Sequence, residues 1–261
     1  MGIQYGNLTL QGVHREDLIN YLSKVSREAY VSANVNGFIT IYDRAIDGAD
    51  RKDVANLTKL DSRARAIVNQ YRYGSYFTLV CLAHHLSRIF SCSALAVHVY
   101  DGSIFWYYLS KNGEMLDEYT TCGDDNWKPG KVLDKFPAQY QIKGGNSNKL
   151  CTAFGKEMTI DQVETILRKP DDISDETSLL NSPRNEALLK VESYSSPIIR
   201  HEALARYLGI CSGFVVGINY LAIDTGEFPE LWEDFCHWED DDVPRIEEVE
   251  PLLIKTNCLT F

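Results

Sequence analysis

Residues 94–120 read ALAVHVYDGSIFWYYLSKNGEMLDEYT and predict the centre of the fold. Three apolar and aromatic stretches, 94–100, 104–110 and 115–120, are separated by Asp101-Gly102 and by Lys111-Asn-Gly113. Asp-Gly and Asn-Gly favour tight hairpin turns, because the central positions of such turns need a positive φ. The run therefore predicts an antiparallel β-meander.

Successive side chains of a strand point to opposite faces, so Val97 and Val99 should share one face, and His98 and Tyr100 the other. By the same rule Trp106 and Tyr108 lie together. Their face is either covered by a helix, which is the default for a central strand, or open as a platform for a small ligand.

The residues before the meander predict a β-α-β-β unit. Strands are expected at 7–11, 29–32 and 38–42, a helix at 14–25, and a hairpin turn at 34–37. Helices are also expected at 62–72 and 76–90. The second should have Ser75 as its N-cap and bury Phe77, Val80, Leu86 and Ile89.

The residues after the meander predict a mostly helical part. A short helix at 148–154 should end at Gly155, a Thr159–Gln162 capping box should start a helix at 160–168, and Ser196-Pro197 and Gly209 should bound a helix at 197–208. The apolar run 214–223 is expected to be one more strand.

These elements predict an α+β fold with helices packed against an antiparallel sheet. We expect an N-terminal α+β part at 1–121, a Pro- and Gly-containing loop or hinge at 122–146, and a mostly helical part at 147–261 with one strand and an acidic aromatic tail. Alternatively, all three form one compact domain.

The net charge of −11 is concentrated at the C-terminal end. Residues 224–261 contain twelve acidic residues against Arg245 and Lys255, a net charge of −10, which leaves −1 for the other 223 residues. An acidic chain disfavours nonspecific binding to nucleic acid and to anionic membranes. RNA binding on the Trp106/Tyr108 face is also disfavoured, because only Lys111 is near those rings.

The acidic segment also carries aromatic residues. Phe228, Leu231, Trp232 and Phe235 have the spacing of one helix face. Either this face packs on the body and leaves the acids in solvent, or the segment receives a basic partner with aromatic anchors inside complementary charge. Weak divalent-cation binding at 239–242 is a third alternative, although the run lacks the pattern of a calcium loop. The candidate partner-binding residues are Glu230, Trp232, Glu233, Asp234, Trp238, Asp240, Asp241 and Asp242.

The seven cysteines are scattered and contain no Cys-x-x-Cys, so neither a disulfide framework nor a structural zinc site is expected. Free thiols and a start without a secretory pattern favour the cytoplasm. No apolar run approaches the ~18 residues of a membrane span.

No complete catalytic motif is present. His84 and His85 follow Cys81 on a predicted helix, and His98 lies at a strand end, so either position could contribute to a dispersed site. His201 is expected to pack or to hydrogen-bond between elements. Gly144-Gly145 before a helix is a weak candidate for a phosphate cradle.

The leading hypothesis is a non-enzymatic cytoplasmic protein-binding module that takes no cofactor and uses its acidic aromatic surface to bind a basic protein. In composition alone the chain resembles many immunity-type, inhibitor and adaptor proteins, a likeness that assigns no residue roles. The alternatives are a hydrolase or transferase with a site around His84/His85 or His98, and a small-ligand-binding domain using Trp106 and Tyr108.

Overall fold

The computed structural model describes residues 4–48, 56–57, 59, 66, 71, 75–100, 103–122, 142–169, 196–226 and 254–256. Its strands are β1 (Tyr5–Gln11), β2 (Ala29–Val31), β3 (Phe38–Asp43), β4 (Ser93–Tyr100), β5 (Ile104–Lys111), β6 (Glu114–Thr120), β7 (Lys143–Gly144) and β8 (Ile254–Lys255). Its helices are α1 (Arg15–Lys24), α2 (Arg44–Gly48), α3 (Ser75–Ile89), α4 (Ser147–Phe154), α5 (Ile160–Arg168), α6 (Pro197–Leu208) and α7 (Tyr220–Thr225).

The strands form one sheet in the order β7-β6-β5-β4-β1-β3-β2-β8, and every neighbouring pair is antiparallel. The three strands of the meander and β7 form one half, and the three strands of the β-α-β-β unit and β8 form the other. Asn112 and Gly113 adopt positive φ values of 53° and 80° in the turn between β5 and β6, as the Asn-Gly signature requires. The α+β prediction is confirmed.

Helices cover both faces of this sheet. On one face Ala96, Trp106 and Tyr108 belong to a core shared with residues of α1 and α3. On the other, Val97 and Tyr107 join a core shared with residues of α4, α5 and α6. Burial on both faces explains why β5 is apolar or aromatic at every position from Ile104 to Leu109 rather than alternating.

Most predicted elements occur close to their expected bounds. The hairpin of β2 and β3 forms, with the Gly37 N–H donating to Asn34 Oδ1 at 3.0 Å. Gly155 and Gly209 end α4 and α6 in the left-handed conformation, and Ser196 accepts the Ile199 N–H at the start of α6. The predicted helix at 62–72 lies mostly outside the described residues.

The strand expected at 214–223 is wrong. The chain forms a 3₁₀ turn at Ser212–Phe214 and then α7, whose first turn is capped by the Asn219 side chain. Gly217 has a φ of +74°, which breaks an extended backbone. The run is apolar because Val215 and Val216 are buried, and β1 holds it by a hydrogen bond of 2.7 Å from Asn7 Nδ2 to the Val215 carbonyl.

Three local expectations are also wrong. Ile89 is 43% exposed, because Phe90, four residues after Leu86, continues the buried stripe of α3. Thr159 does not cap α5, since its hydroxyl is directed at the carbonyls of Lys156 and Tyr207. Ser75 is the first residue of α3, and its hydroxyl donates to a carbonyl of α2.

Candidate functional site

The two flanks of the acidic aromatic segment, residues 227–253, lie side by side at one edge of the sheet. The chain enters the segment from α7, which ends at Gly226, and leaves it into β8, which pairs with β2. Thr256 fixes the exit, because its N–H donates to the Ala29 carbonyl at 2.9 Å and its hydroxyl accepts the Ala29 N–H at 3.0 Å. The body of the protein therefore holds this 27-residue segment at both ends.

A polar cluster joins these flanks, and we call it the Lys255 cluster: Glu28, Tyr30, Tyr220, Asp224 and Lys255. Lys255 Nζ lies 2.6 Å from Asp224 Oδ1 and 3.6 Å from Glu28 Oε1. The same ammonium lies 5.3 Å from the ring centroid of Tyr30 and 5.4 Å from that of Tyr220. Two aromatic faces and two carboxylates thus surround one cation.

Hydrogen bonds hold the two tyrosines to the two acids. Tyr220 donates to Glu28 Oε1 at 2.7 Å, and Tyr30 donates to Asp224 Oδ1 at 2.9 Å. The bond from Tyr220, followed by that from Arg44, lowers the pKa of Glu28. Hydrogen bonding to Asp224 raises the pKa of Lys255, and the same bond lowers that of Asp224. Glu28, Asp224 and Lys255 are therefore charged at neutral pH.

The residues that the sequence predicts for partner binding lie in the chain between Asp224 and Lys255 of this cluster. All of them fall within 227–253, outside the described residues: Glu230, Trp232, Glu233, Asp234, Trp238, Asp240, Asp241 and Asp242. Within 227–253 the sequence has eleven acidic residues and one basic residue, Arg245, a net charge of −10.

A second polar cluster brings together residues that the sequence analysis proposed separately. Trp106 and Tyr108 are buried beneath the helices, so the covered alternative is the one found. The Trp106 Nε1–H donates to Glu118 Oε1 at 2.7 Å, and burial raises the pKa of that carboxyl group. Tyr108 is hydrogen-bonded to His84, and Tyr71 donates to Glu118 Oε2 at 3.1 Å.

The remaining histidines are dispersed. His85 bonds to Tyr21 on α1, whereas His84 faces the meander, so the two neighbours do not share a site. Burial lowers the pKa of His98 and of His201 to about 3, which leaves both rings neutral. His201 bonds to the Tyr5 hydroxyl at 2.9 Å, the inter-element role expected for it.

The phosphate cradle proposed at Gly144-Gly145 is wrong. Two backbone N–H groups that it would need are already used, since that of Gly145 donates to the Glu118 carbonyl at 2.9 Å and that of Asn146 to Asp117 Oδ2 at 2.7 Å. The adjoining cleft of about 310 Å³ includes Asp161 and Glu164 in its lining. Its Arg168 donates to the carbonyls of Gly144 and Gly145.

Sequence reasoning missed the Lys255 cluster because its members come from three distant parts of the chain. One sign was available, since Lys255 is one of only two basic residues after Asp224. Pairing it with Tyr30 requires the β2–β8 register, which local patterns do not reveal.

Within the described ranges, no helix is long and apolar enough to cross a membrane, and no three His, Cys, Asp or Glu side chains are arranged to hold a metal ion. Comparisons of the chain with models of known protein families, with curated proteins and with solved structures give no match. Function must therefore be argued from the residues themselves.

Proposed function

We propose that this chain is a non-enzymatic cytoplasmic protein-binding module of the adaptor, inhibitor or immunity type. The contact surface is the acidic aromatic segment, and the partner is a basic protein. The observation that carries the proposal is a charge of −10 on a 27-residue segment with four aromatic residues, whose flanks are fixed side by side.

Charge and aromatic side chains have different roles in this proposal. Concentrated negative charge accelerates the encounter with a basic protein, and it does so less as salt screens it. Trp232 and Trp238 supply the affinity, because aromatic anchors account for a large share of the binding energy in many interfaces.

Anchorage at both ends supports this role. In general, a chain segment whose two ends are fixed loses less conformational entropy on binding than a segment with a free end. The Lys255 cluster and the bonds of Thr256 provide that anchorage on the described body.

A hydrolase or transferase site is the second candidate function. The observation in its favour is the convergence of His84, Tyr108, Trp106 and Glu118 on one face of the sheet. A half-buried carboxyl group with a raised pKa beside a His–Tyr pair can in principle exchange protons with a substrate.

Two full-length variants test the leading proposal by affinity capture from native lysate. One carries Trp232→Ala and Trp238→Ala, and the other replaces Asp240, Asp241 and Asp242 with Lys. The control variant also reverses three acids, at Glu114, Glu157 and Asp161, which are exposed on the described body. Circular dichroism and thermal melting verify that all of them are folded.

We expect a basic protein that the wild type and the control capture and that both segment variants lose. Truncating two aromatic anchors should weaken binding by about 30-fold or more, at about 1 kcal/mol or more for each. Equal recovery with the wild type and both segment variants would refute the proposed function.

A further inference from the structure

The Lys255 cluster has the chemistry of a recognition site for an ammonium group. Ring faces attract a cation through their quadrupole, and carboxylates accept its N–H groups. Tyr30 and Glu28 come from one part of the chain, and Tyr220 and Asp224 from another, about 190 residues later. We call these four side chains the box. Lys255 comes from a third part of the chain, and its ammonium group lies between them.

The backbone beside the box is the edge of the sheet at β2, where β8 is a short partner strand. β8 pairs with β2 over two residues, and Thr256 adds two further hydrogen bonds to Ala29. Adding a short extended segment to an exposed edge is a common mode of peptide recognition. Main-chain bonds then provide affinity, and a side-chain pocket provides the choice of residue.

We propose that the β2 edge and the Lys255 cluster recognise a lysine-bearing extended segment of the basic partner, and that residues 254–256 occupy this site as a built-in competitor. The inference rests on the proposed function and deepens it by naming what is recognised. The occupying lysine side chain is 42% exposed, so the site lies at the surface.

The competition has a defined physical form. Residues 254–256 are tethered to the site and compete at an effective concentration in the millimolar range. A lysine-bearing segment that binds this site alone therefore does not displace them readily. A partner that also engages the acidic segment gains the additional contacts needed for the exchange. The acidic segment leads directly into β8. Binding of the partner to that segment therefore acts on β8, the strand that must leave the β2 edge.

Peptide binding to full-length variants tests the inference. The protein carries Lys255→Met and Thr256→Ala, which weaken the resident segment without changing the box. The probes are the peptide LLIKTN, which copies residues 252–257, and LLIMTN, which lacks the ammonium group. Saturation-transfer NMR at millimolar peptide measures both affinities.

We expect LLIKTN to bind the variant about tenfold more tightly than LLIMTN does, and about tenfold more tightly than it binds the wild type. Adding Tyr220→Leu and Asp224→Asn to the variant should abolish the preference for lysine. If the double variant does not fold, Lys255→Met alone replaces it, since that side chain is partly exposed.

Equal binding of the two peptides, or no binding to a folded variant, would overturn the inference. Its failure is distinguishable from that of the proposed function. Trp232→Ala and Trp238→Ala should leave LLIKTN binding unchanged, whereas they abolish capture of the basic protein if the acidic segment is the contact surface.

Discussion

Glu202 on α6 makes the stability of this protein depend on pH in a direction opposite to that of most acids. Its side chain is 1% exposed, and Oε1 lies 3.0 Å from Arg206 Nη2. Burial raises the pKa of Glu202 to about 7, and the charge of Arg206 offsets only part of this effect. The folded state therefore holds this proton more tightly than the unfolded state does.

The magnitude follows from the difference between the two states. The ordinary pKa of a Glu side chain is 4.5, so ionising the buried group costs about 3 kcal/mol in full. Because the native state binds more protons between these two pKa values, the free energy of unfolding falls as pH rises through this window. Most of this loss, about 2–3 kcal/mol, develops between pH 5 and pH 8.

Glu202→Gln removes the titration and keeps the shape of the side chain. We expect the difference in unfolding free energy between variant and wild type to shift by about 2–3 kcal/mol in favour of the variant from pH 5 to pH 8. Urea denaturation at several pH values measures it, and comparison with the wild type cancels the other titrating groups. A difference that stays constant within about 0.5 kcal/mol would refute the reasoning.

Two further predictions concern the core. His201→Gln should reduce the loss of stability in acid by about 3 kcal/mol between pH 7 and pH 4. The reason is that burial lowers the pKa of His201 to about 3, so protonation favours the unfolded state. Melting temperatures measured from pH 7 to pH 4 check this, and the same decrease in variant and wild type would contradict it. Gly145→Ala should cost about 1–3 kcal/mol more than Gly155→Ala in urea unfolding. Both glycines have positive φ, but a Cβ at 145 lies 2.6 Å from Tyr119 Cδ2 and one at 155 meets open space; equal costs would contradict this.

The fold could be predicted where local chemistry and tertiary packing agree. The meander has turn-forming residues between strands rich in β-branched and aromatic residues. Helix α6 has a serine N-cap, a proline in its first turn and a glycine at its C-terminal end. The strand prediction at 214–223 was wrong because the buried residues of an irregular segment give the same apolar pattern as a strand. Only the cap at Asn219 and the break at Gly217 distinguish the two.

The candidate site was predictable only in part. Charge counting located the acidic aromatic segment, because composition is a local property of the sequence. The Lys255 cluster depends on which strand fills the β2 edge, and that choice is settled by contacts across about 225 residues of chain. The convergence of Trp106 with Glu118 likewise follows from the pairing of β5 with β6.

The central claim, that the acidic aromatic segment binds a basic protein, is tested most directly by affinity capture from native lysate across a salt gradient, with mass spectrometry of each fraction. We expect a basic protein that the wild type retains at low salt and releases as rising salt shortens the screening length. The variant with lysines at 240–242 should not retain it at any salt concentration. Retention that is independent of salt, or equal for wild type and variant, would contradict the claim.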